Sequence, residues 1–167
     1  MTPVGIIEAK WTKIGLYSCS FTKDENETVS LQDAASSPDN RVADFATRLN
    51  QFFENGDFDL AGLEFDWSGT SDFSRLALLA CARIPAGQTK TYGNLARSIG
   101  HPSAARAIGR AMATNRWPLA IPCHRVLSST GKLTGYSGTG GINTKKWLLE
   151  LEQTSLFAAS DASASVC

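Results

Sequence analysis

The 167-residue chain predicts a small α/β segment over residues 1–70, a mainly helical segment with a helix-turn-helix over residues 71–152, and a flexible tail over residues 153–167. Three observations carry this reading: β-rich runs near the start, helical periodicity after Thr70, and a reversal of charge at the same place. Residues 1–70 hold 5 Lys/Arg against 12 Asp/Glu, whereas residues 71–152 hold 11 against 3, so the net charge of zero conceals two oppositely charged parts. An acidic first part joined to a basic second part suggests that only the second meets a polyanion. Two solvated faces of opposite sign that attract each other are the plainer reading, and charge alone does not separate the two.

Val4–Trp11 and Ile14–Phe21 alternate apolar and polar residues about Thr12-Lys13 and read as a hairpin. Residues 22–38 are polar and read as a loop. Val42, Phe45, Ala46, Leu49, Phe52 and Phe53 recur at helical spacing, with Ser37 as the expected cap, Pro38 in the first turn and Gly56 past the end. Phe73, Leu76, Ala77, Ala80 and Ile84 predict the next helix on one face, ended by Pro85 and Gly87. Tyr92–Ile99 and Ser103–Thr114, parted by Gly100-His101-Pro102, read as a helix-turn-helix. On its second helix Arg106 and Arg110 lie four apart and share a face, while Ala104, Ile108, Ala111 and Met112 turn inward. Asn143 or Thr144 is expected to cap a last helix bearing Trp147, Leu148, Leu151 and Glu152; the Ala/Ser-rich residues beyond it read as frayed.

No apolar run approaches the ~20 residues of a membrane span, and Met1-Thr2-Pro3-Val4-Gly5 lacks the basic and hydrophobic regions of a signal peptide. The expectation is a soluble intracellular protein, cytoplasmic in a prokaryote and nuclear in a eukaryote. Cys19, Cys81, Cys123 and Cys167 form no Cys-x-x-Cys pair and His101 and His124 are the only histidines, which argues against a disulfide framework or a four-ligand zinc site.

The chemistry concentrates in Ile121-Pro122-Cys123-His124-Arg125-Val126. A free thiol with a pKa near ~8.5 is only slightly ionised at neutral pH, but cationic donors or a polarised imidazole lower it to roughly 3.5–7.5 and make a nucleophilic thiolate. A lone cysteine is more often core than catalyst. Against that, a merely structural Cys123 would bury two ionisable neighbours, which is costly unless they are paired.

This hexapeptide, with Arg83-Ile84-Pro85-Ala86-Gly87, Thr91-Tyr92-Gly93, Ala105-Arg106-Ala107-Ile108-Gly109, Asn115, Gly135-Tyr136-Ser137-Gly138 and Lys146-Trp147-Leu148-Leu149 with Glu152, resembles the O6-alkylguanine-DNA alkyltransferases over the second half of the chain. The first seventy residues match loosely, and the resemblance implies a ribonuclease-H-like fold for them without that fold's catalytic role. It further implies that Cys123 attacks the alkyl carbon, that His124 activates it through a water with Glu152 as orienter, that Tyr92 supplies a proton to the leaving guanine, and that Asn115 ties the recognition helix to the turn before the active strand. Arg106 corresponds to the finger that fills the place of the flipped nucleotide. Arg110, Ala105 and Tyr92 join it at the DNA, and Met112, Trp117, Pro118, Arg125, Tyr136, Ser137 and Gly138 line the pocket. The expected partner is double-stranded DNA containing O6-alkylguanine, with O4-alkylthymine kept open; no cofactor, metal or membrane is called for, and the chain is expected to act as a monomer.

Three departures from the family pattern bear on packing and pocket: Ala77-Leu78 in place of Val-Trp, Asn115-Arg116-Trp117-Pro118 in place of Asn-Pro with small residues following, and a longer glycine-rich run, Ser137-Gly138-Thr139-Gly140-Gly141. A non-catalytic lesion binder of the same fold is disfavoured because Cys123 is present. A thiol hydrolase lacks a signature for an oxyanion hole, and a transcription factor leaves the Cys-His-Arg set unexplained.

Overall fold

The computed structural model describes residues 6–22, 30–133, 135, 136, 138 and 140–164. Strands β1 (Ile6–Trp11) and β2 (Leu16–Thr22) form the expected antiparallel hairpin, with Ala9 opposite Cys19 and a bulge at Lys10/Trp11. Alternation along β2 buries Cys19 and Phe21, and Leu16, beyond the bulge in the pairing, is buried out of that step. Backbone at Glu64–Asp66 runs alongside Leu16, whose N–H donates to the Glu64 carbonyl at 2.8 Å and whose carbonyl accepts from Asp66 N at 3.0 Å. Gly15 is needed there, because a Cβ would lie 2.3 Å from the Glu64 oxygen.

The polar stretch expected as a loop carries a short helix, α1 (Leu31–Ala35), capped by Ser30, whose hydroxyl accepts from Asp33 N. Polarity on one turn of helix leaves no periodic signal, but a Ser cap three residues before an Asp is a helix start. Helix α2 (Asn40–Asn55) is capped by Asp39 rather than by Ser37. The Asp39 carboxylate accepts from Arg41 N, and the shorter Ser37 side chain serves only the Asp39 N–H. Phe45, Ala46, Leu49 and Phe52 of α2 are buried, and Gly56 ends it in the left-handed conformation with φ +74°.

Helix α3 (Asp72–Ala82) turns a different face inward from the predicted one. Ala77, Leu78 and Cys81 are buried while Leu76 is 44 % exposed. The run Leu-Ala-Leu-Leu-Ala-Cys-Ala is apolar all round, so periodicity alone cannot pick the buried side. Next come β3 (Lys90–Thr91), α4 (Tyr92–Ser98) and α5 (Ala105–Ala113), the last two joined through Gly100 at φ +78°. β3 pairs in parallel with β4 (Val126–Leu127), Lys90 opposite Val126 and Thr91 opposite Leu127. This pairing brings the start of α4, and so Tyr92, to the turn Cys123–Arg125 that precedes β4.

Helix α6 (Gly141–Ala164) begins ahead of the expected caps, leaving Asn143 and Thr144 in its first turn, and its backbone stays helical through positions read as a frayed tail. Alanine is the best helix former, so the composition that lacks a core-forming face still favours helix. α6 packs on α2, where Phe53 meets Trp147 at 6.1 Å between ring centroids. No described helix is long and apolar enough to cross a membrane.

The contact between Gly56 and α6 is tight: a Cβ there would lie 2.8 Å from the Glu152 Cα, whereas one at Gly62 (φ +73°) would meet nothing within 4 Å. Gly62→Ala is therefore expected to cost about 1 kcal/mol, the left-handed penalty alone. Gly56→Ala is expected to cost at least about 2 kcal/mol, because strain and overpacking add. Urea unfolding of both variants checks this; equal losses would mean that the α2–α6 contact yields freely.

Candidate active site

The nucleophile candidate sits at the end of a tightly tied turn. After α5 the chain passes Asn115, whose Oδ1 accepts from Trp117 N at 3.0 Å and whose Nδ2 donates to the Ile121 carbonyl at 2.9 Å. Ile121 N donates to the Trp117 carbonyl, and Cys123 N donates to the Ile121 carbonyl at 2.8 Å. Leu119, buried inside the turn, adopts φ +75°, a left-handed conformation that a non-glycine residue holds only under external support. The Asn115 side chain thus joins the end of α5 to the segment that carries Cys123.

Cys123, His124 and Arg125 form a single 3-10 turn and are all buried. The burial of two ionisable neighbours, costly by itself, is met by one carboxylate from α6. Glu152, also fully buried, accepts from His124 Nε2 at 2.6 Å and Arg125 Nε at 2.9 Å on Oε1, and from Gly87 N at 3.1 Å on Oε2. Arg125 spends its other donors on the carbonyls of Ile84 at 2.5 Å and Gly56 at 3.5 Å. Burial alone would raise the Glu152 pKa, but the His124 and Arg125 hydrogen bonds hold it below the ordinary carboxyl value of 4.5. Burial lowers the His124 pKa below 6.5 against the pull of Glu152. The pair is therefore a carboxylate and a neutral imidazole. The carboxylate only accepts, so Nε2 carries the proton and Nδ1 keeps its lone pair. His124 Nδ1 is buried without a hydrogen-bond partner among the described residues.

The thiolate expected from sequence is not preformed. Burial pushes the Cys123 thiol up, and hydrogen bonding from Asn115 and the charge of Lys145 offset this only in part. The flanking cation does not offset the burial, because Arg125 is engaged by Glu152 and the Ile84 carbonyl. Lys145 was missed. It is fully buried on α6, donates to the Val126 carbonyl at 2.7 Å, and interacts electrostatically with Cys123 and Cys81. A lysine at helical spacing from Leu148 and Glu152, both expected to face inward, was the available signal.

Cys123 opens on a cavity of about 270 Å³ walled by Tyr92, Gly109, Met112, Ala113, Gly135 and Tyr136. Its size is near the lower end for a small-molecule cleft, roughly 300 Å³. Met112 and Tyr136 were expected to line it, and Tyr92 to act on the base as a proton donor. Gly109 and Ala113 were not, although two small residues four apart on α5 mark a face that something approaches closely. The Tyr136 hydroxyl is buried without a hydrogen-bond partner among the described residues. Gly138 lies behind the Tyr136 ring, where a Cβ would come within 2.5 Å of it, so it shapes the wall without lining it. Ser137 lies outside the described residues.

Three expected pocket residues are elsewhere. Arg125 is sequestered by Glu152, Ile84 and Gly56. Trp117 is fully buried on the far side of the turn, its Nε1 donating to the Leu16 carbonyl at 2.8 Å and its ring 4.6 Å from that of Trp67. Pro118 is buried with its carbonyl accepting from the Cys19 thiol at 3.1 Å. The indole of Trp117 is too large and too apolar to remain at a solvated rim when the N-terminal hairpin offers a packed pocket and an acceptor. On the outer face of α5, Arg106 and Arg110 are exposed and Ala105 is half-buried.

Residues 72–154 match the family model described as 6-O-methylguanine DNA methyltransferase, DNA binding domain. The chain is 35 % identical over 153 residues to the methylated-DNA–protein-cysteine methyltransferase of Methanosarcina acetivorans, a match covering 90 % of this chain and 94 % of that protein. It belongs to that family. The Mycobacterium tuberculosis methylated-DNA–protein-cysteine methyltransferase is 46 % identical over 107 residues, 64 % of this chain and 62 % of the relative, so that match spans less than two thirds of the mycobacterial protein. A crystal structure of Mycobacterium tuberculosis OGT in complex with DNA superposes with a TM-score of 0.72 at 34 % identity, covering 92 % of this chain and 90 % of that one. The shared architecture is mainly helical with some strands.

The Glu152 cluster fixes how stability responds to acid. His124 is neutral in the folded state, so protonation of the unfolded chain below pH 6.5 favours unfolding. Glu152 has a depressed pKa, so its contribution is present above pH 4.5 and lost as pH falls through the folded value. Glu152→Gln is expected to lose about 3 kcal/mol at pH 7, where it leaves Arg125 buried and unpaired. That gap should narrow below pH 4.5, as measured by urea unfolding at a series of pH values. A gap independent of pH would mean that Glu152 is not an ionised hub.

Proposed function

We propose that this protein repairs DNA by direct, irreversible and stoichiometric transfer of the alkyl group from O6-alkylguanine to its own Cys123, after flipping the damaged base out of the duplex. The observation that carries the reading is a single cavity onto which Cys123 and Tyr92 both open, backed by a neutral His124 held in one tautomer by Glu152.

His124 Nδ1, through a bridging water, takes the thiol proton as the sulfur forms its bond to the alkyl carbon. The carbon–O6 bond breaks and its electron pair passes to the guanine. Tyr92 donates to the departing base as negative charge develops, and the proton held by the imidazole restores the phenol, so the products are a thioether and a neutral guanine. No cofactor enters this balance. Because the free thiol is buried and protonated, its ionisation is coupled to the reaction and not stored beforehand, which spares it from other electrophiles. Tyr136 adds a buried hydroxyl that an incoming base would satisfy.

The DNA partner is read from α5. Arg106 is exposed on its outer face while Gly109, Met112 and Ala113 of the same helix wall the cavity, so a finger in the base stack and the pocket for the flipped base lie on one element. Arg110 and Ala105 complete the contact surface. Residues 1–70 are proposed to be a ribonuclease-H-like unit in reduced form, supported by the hairpin followed by a helix packed across it, and residues 71–152 the alkyltransferase unit. Action on DNA as a monomer inside the cell follows from this reading.

Duplex DNA containing O6-methylguanine, incubated with the protein and followed by peptide mass spectrometry, is expected to leave one methyl group on Cys123 and a burst equal to the protein concentration, with no further turnover. Cys123→Ser should abolish transfer while retaining DNA affinity; sustained turnover, or transfer by this variant, would overturn the reading. Arg106→Ala should lose repair of duplex DNA by at least about tenfold more than reaction with free O6-benzylguanine, because flipping costs a few kcal/mol and the finger does no chemistry. Equal losses on both substrates would remove Arg106 from that role.

A further inference from the structure

The turn that carries Asn115 is fastened from outside by residues with no part in the chemistry. The Leu16 carbonyl of β2 accepts the Trp117 indole N–H at 2.8 Å. Cys19, three residues on, donates its N–H to the Arg116 carbonyl at 2.7 Å and its thiol to the Pro118 carbonyl at 3.1 Å. The Trp117 ring meets Trp67 at 4.6 Å and Phe65 at 5.3 Å. Arg116 covers it, with its guanidinium 4.7 Å from the Trp117 ring and 4.3 Å from that of Tyr17, and donates to the carbonyls of Asp66 and Ser68 and to Thr70 Oγ1. Three consecutive residues, Arg116, Trp117 and Pro118, are thus bonded to the N-terminal segment.

From this clamp the bonding runs without a break to the Cys123 backbone. Trp117 N donates to Asn115 Oδ1, Asn115 Nδ2 donates to the Ile121 carbonyl, and that carbonyl also accepts from Cys123 N. The left-handed Leu119 lies within the same loop, so the turn is not the conformation its own residues prefer and needs outside restraint. We propose that Trp117, anchored on Leu16 and locked by Arg116, is a positioning residue for the nucleophile: through Asn115 it holds the N-terminal hairpin and Cys123 in one register and thereby sets the reactivity of the thiol. This rests on Cys123 being the alkyl acceptor.

The groups that face Cys123 are Tyr92 from the start of α4 across the cavity, Cys19 from β2, Cys81 from α3, Lys145 from α6, Tyr136 from the loop before it, and Asn115 and His124 on its own segment. Asn115 is bonded to Trp117, and Cys19 to Arg116 and Pro118, so the clamp reaches the thiol through these two. The test uses the full chain and Trp117→Phe, which keeps an aromatic ring in place but leaves the Leu16 carbonyl without the indole donor. Two readouts are taken: the pH dependence of Cys123 alkylation by iodoacetamide, and the rate of transfer from free O6-benzylguanine. The expected result is a mid-point displaced to higher pH and transfer slowed on the order of tenfold, the scale of small misplacements in a reacting geometry, with affinity for undamaged duplex unchanged. In an Asn115→Ala background the same substitution should add little, since the two act in series.

A wild-type pH profile and rate in folded Trp117→Phe, with only a lowered melting temperature, would overturn the proposal and leave Trp117 a packing residue. If Trp117→Phe does not fold, Arg116→Gln, at the half-exposed outer edge of the clamp, is expected to give the same displacement to a smaller extent; no displacement there overturns it equally. Failure of the unmodified protein to alkylate Cys123 at all would instead sink the function on which the proposal rests.

Discussion

One buried carboxylate holds the site together. Glu152 accepts hydrogen bonds from two elements, the 3-10 turn through His124 and Arg125 and the turn after α3 through Gly87, and its backbone packs closely against Gly56 at the end of α2. A lone charge in such a place is costly, and a single cation beside it would leave the imidazole free to rotate or to protonate. With Arg125 supplying the charge and Gly87 the second oxygen's partner, the histidine is left with one task, to present Nδ1 with its lone pair. The order of dependence runs from ion pair to tautomer to base.

The nucleophile follows from the same arrangement. Arg125 lies two residues from Cys123 but answers to Glu152, so adjacency in sequence does not give the sulfur a cation. What favours the thiolate comes from farther away in sequence, from Asn115 across the turn and Lys145 on α6, and burial outweighs both. The result is a buried, protonated thiol at the wall of the cavity, proposed above to ionise only as it reacts.

Local chemistry was legible in the sequence and tertiary destination was not. Pro-Cys-His-Arg marked Cys123 as the candidate nucleophile because such a run has few structural uses, and the resemblance offered His124 as its base. Asn115 and Glu152 were readable by resemblance. Trp117 was misplaced because its neighbours along the chain belong to the pocket, while its partners Leu16, Phe65 and Trp67 lie some fifty to a hundred residues away. Lys145 was passed over because a lysine is exposed by default, and only the packing of α6 on the 3-10 turn shows otherwise. Helix α3 was found and its inward face misassigned for a related reason: a segment apolar on all sides carries helix in its pattern but not orientation. The Ser37 cap failed by two residues, within the ordinary slack of helix ends.

The point at which charge and periodicity change, near Thr70, looks like a seam, and the family model begins just beyond it at residue 72. Bonding disregards that seam. The Leu16 carbonyl, the Cys19 N–H and thiol, and the Asp66 and Ser68 carbonyls all terminate on Arg116–Pro118, and the Gly56 carbonyl receives Arg125. Excised at residue 71, the second segment would carry an unsatisfied indole N–H, an unsupported left-handed leucine and a carboxylate hub with one wall missing. The second half of this chain is therefore not portable: its shape is completed by the hairpin, and moving it alone would leave that shape behind.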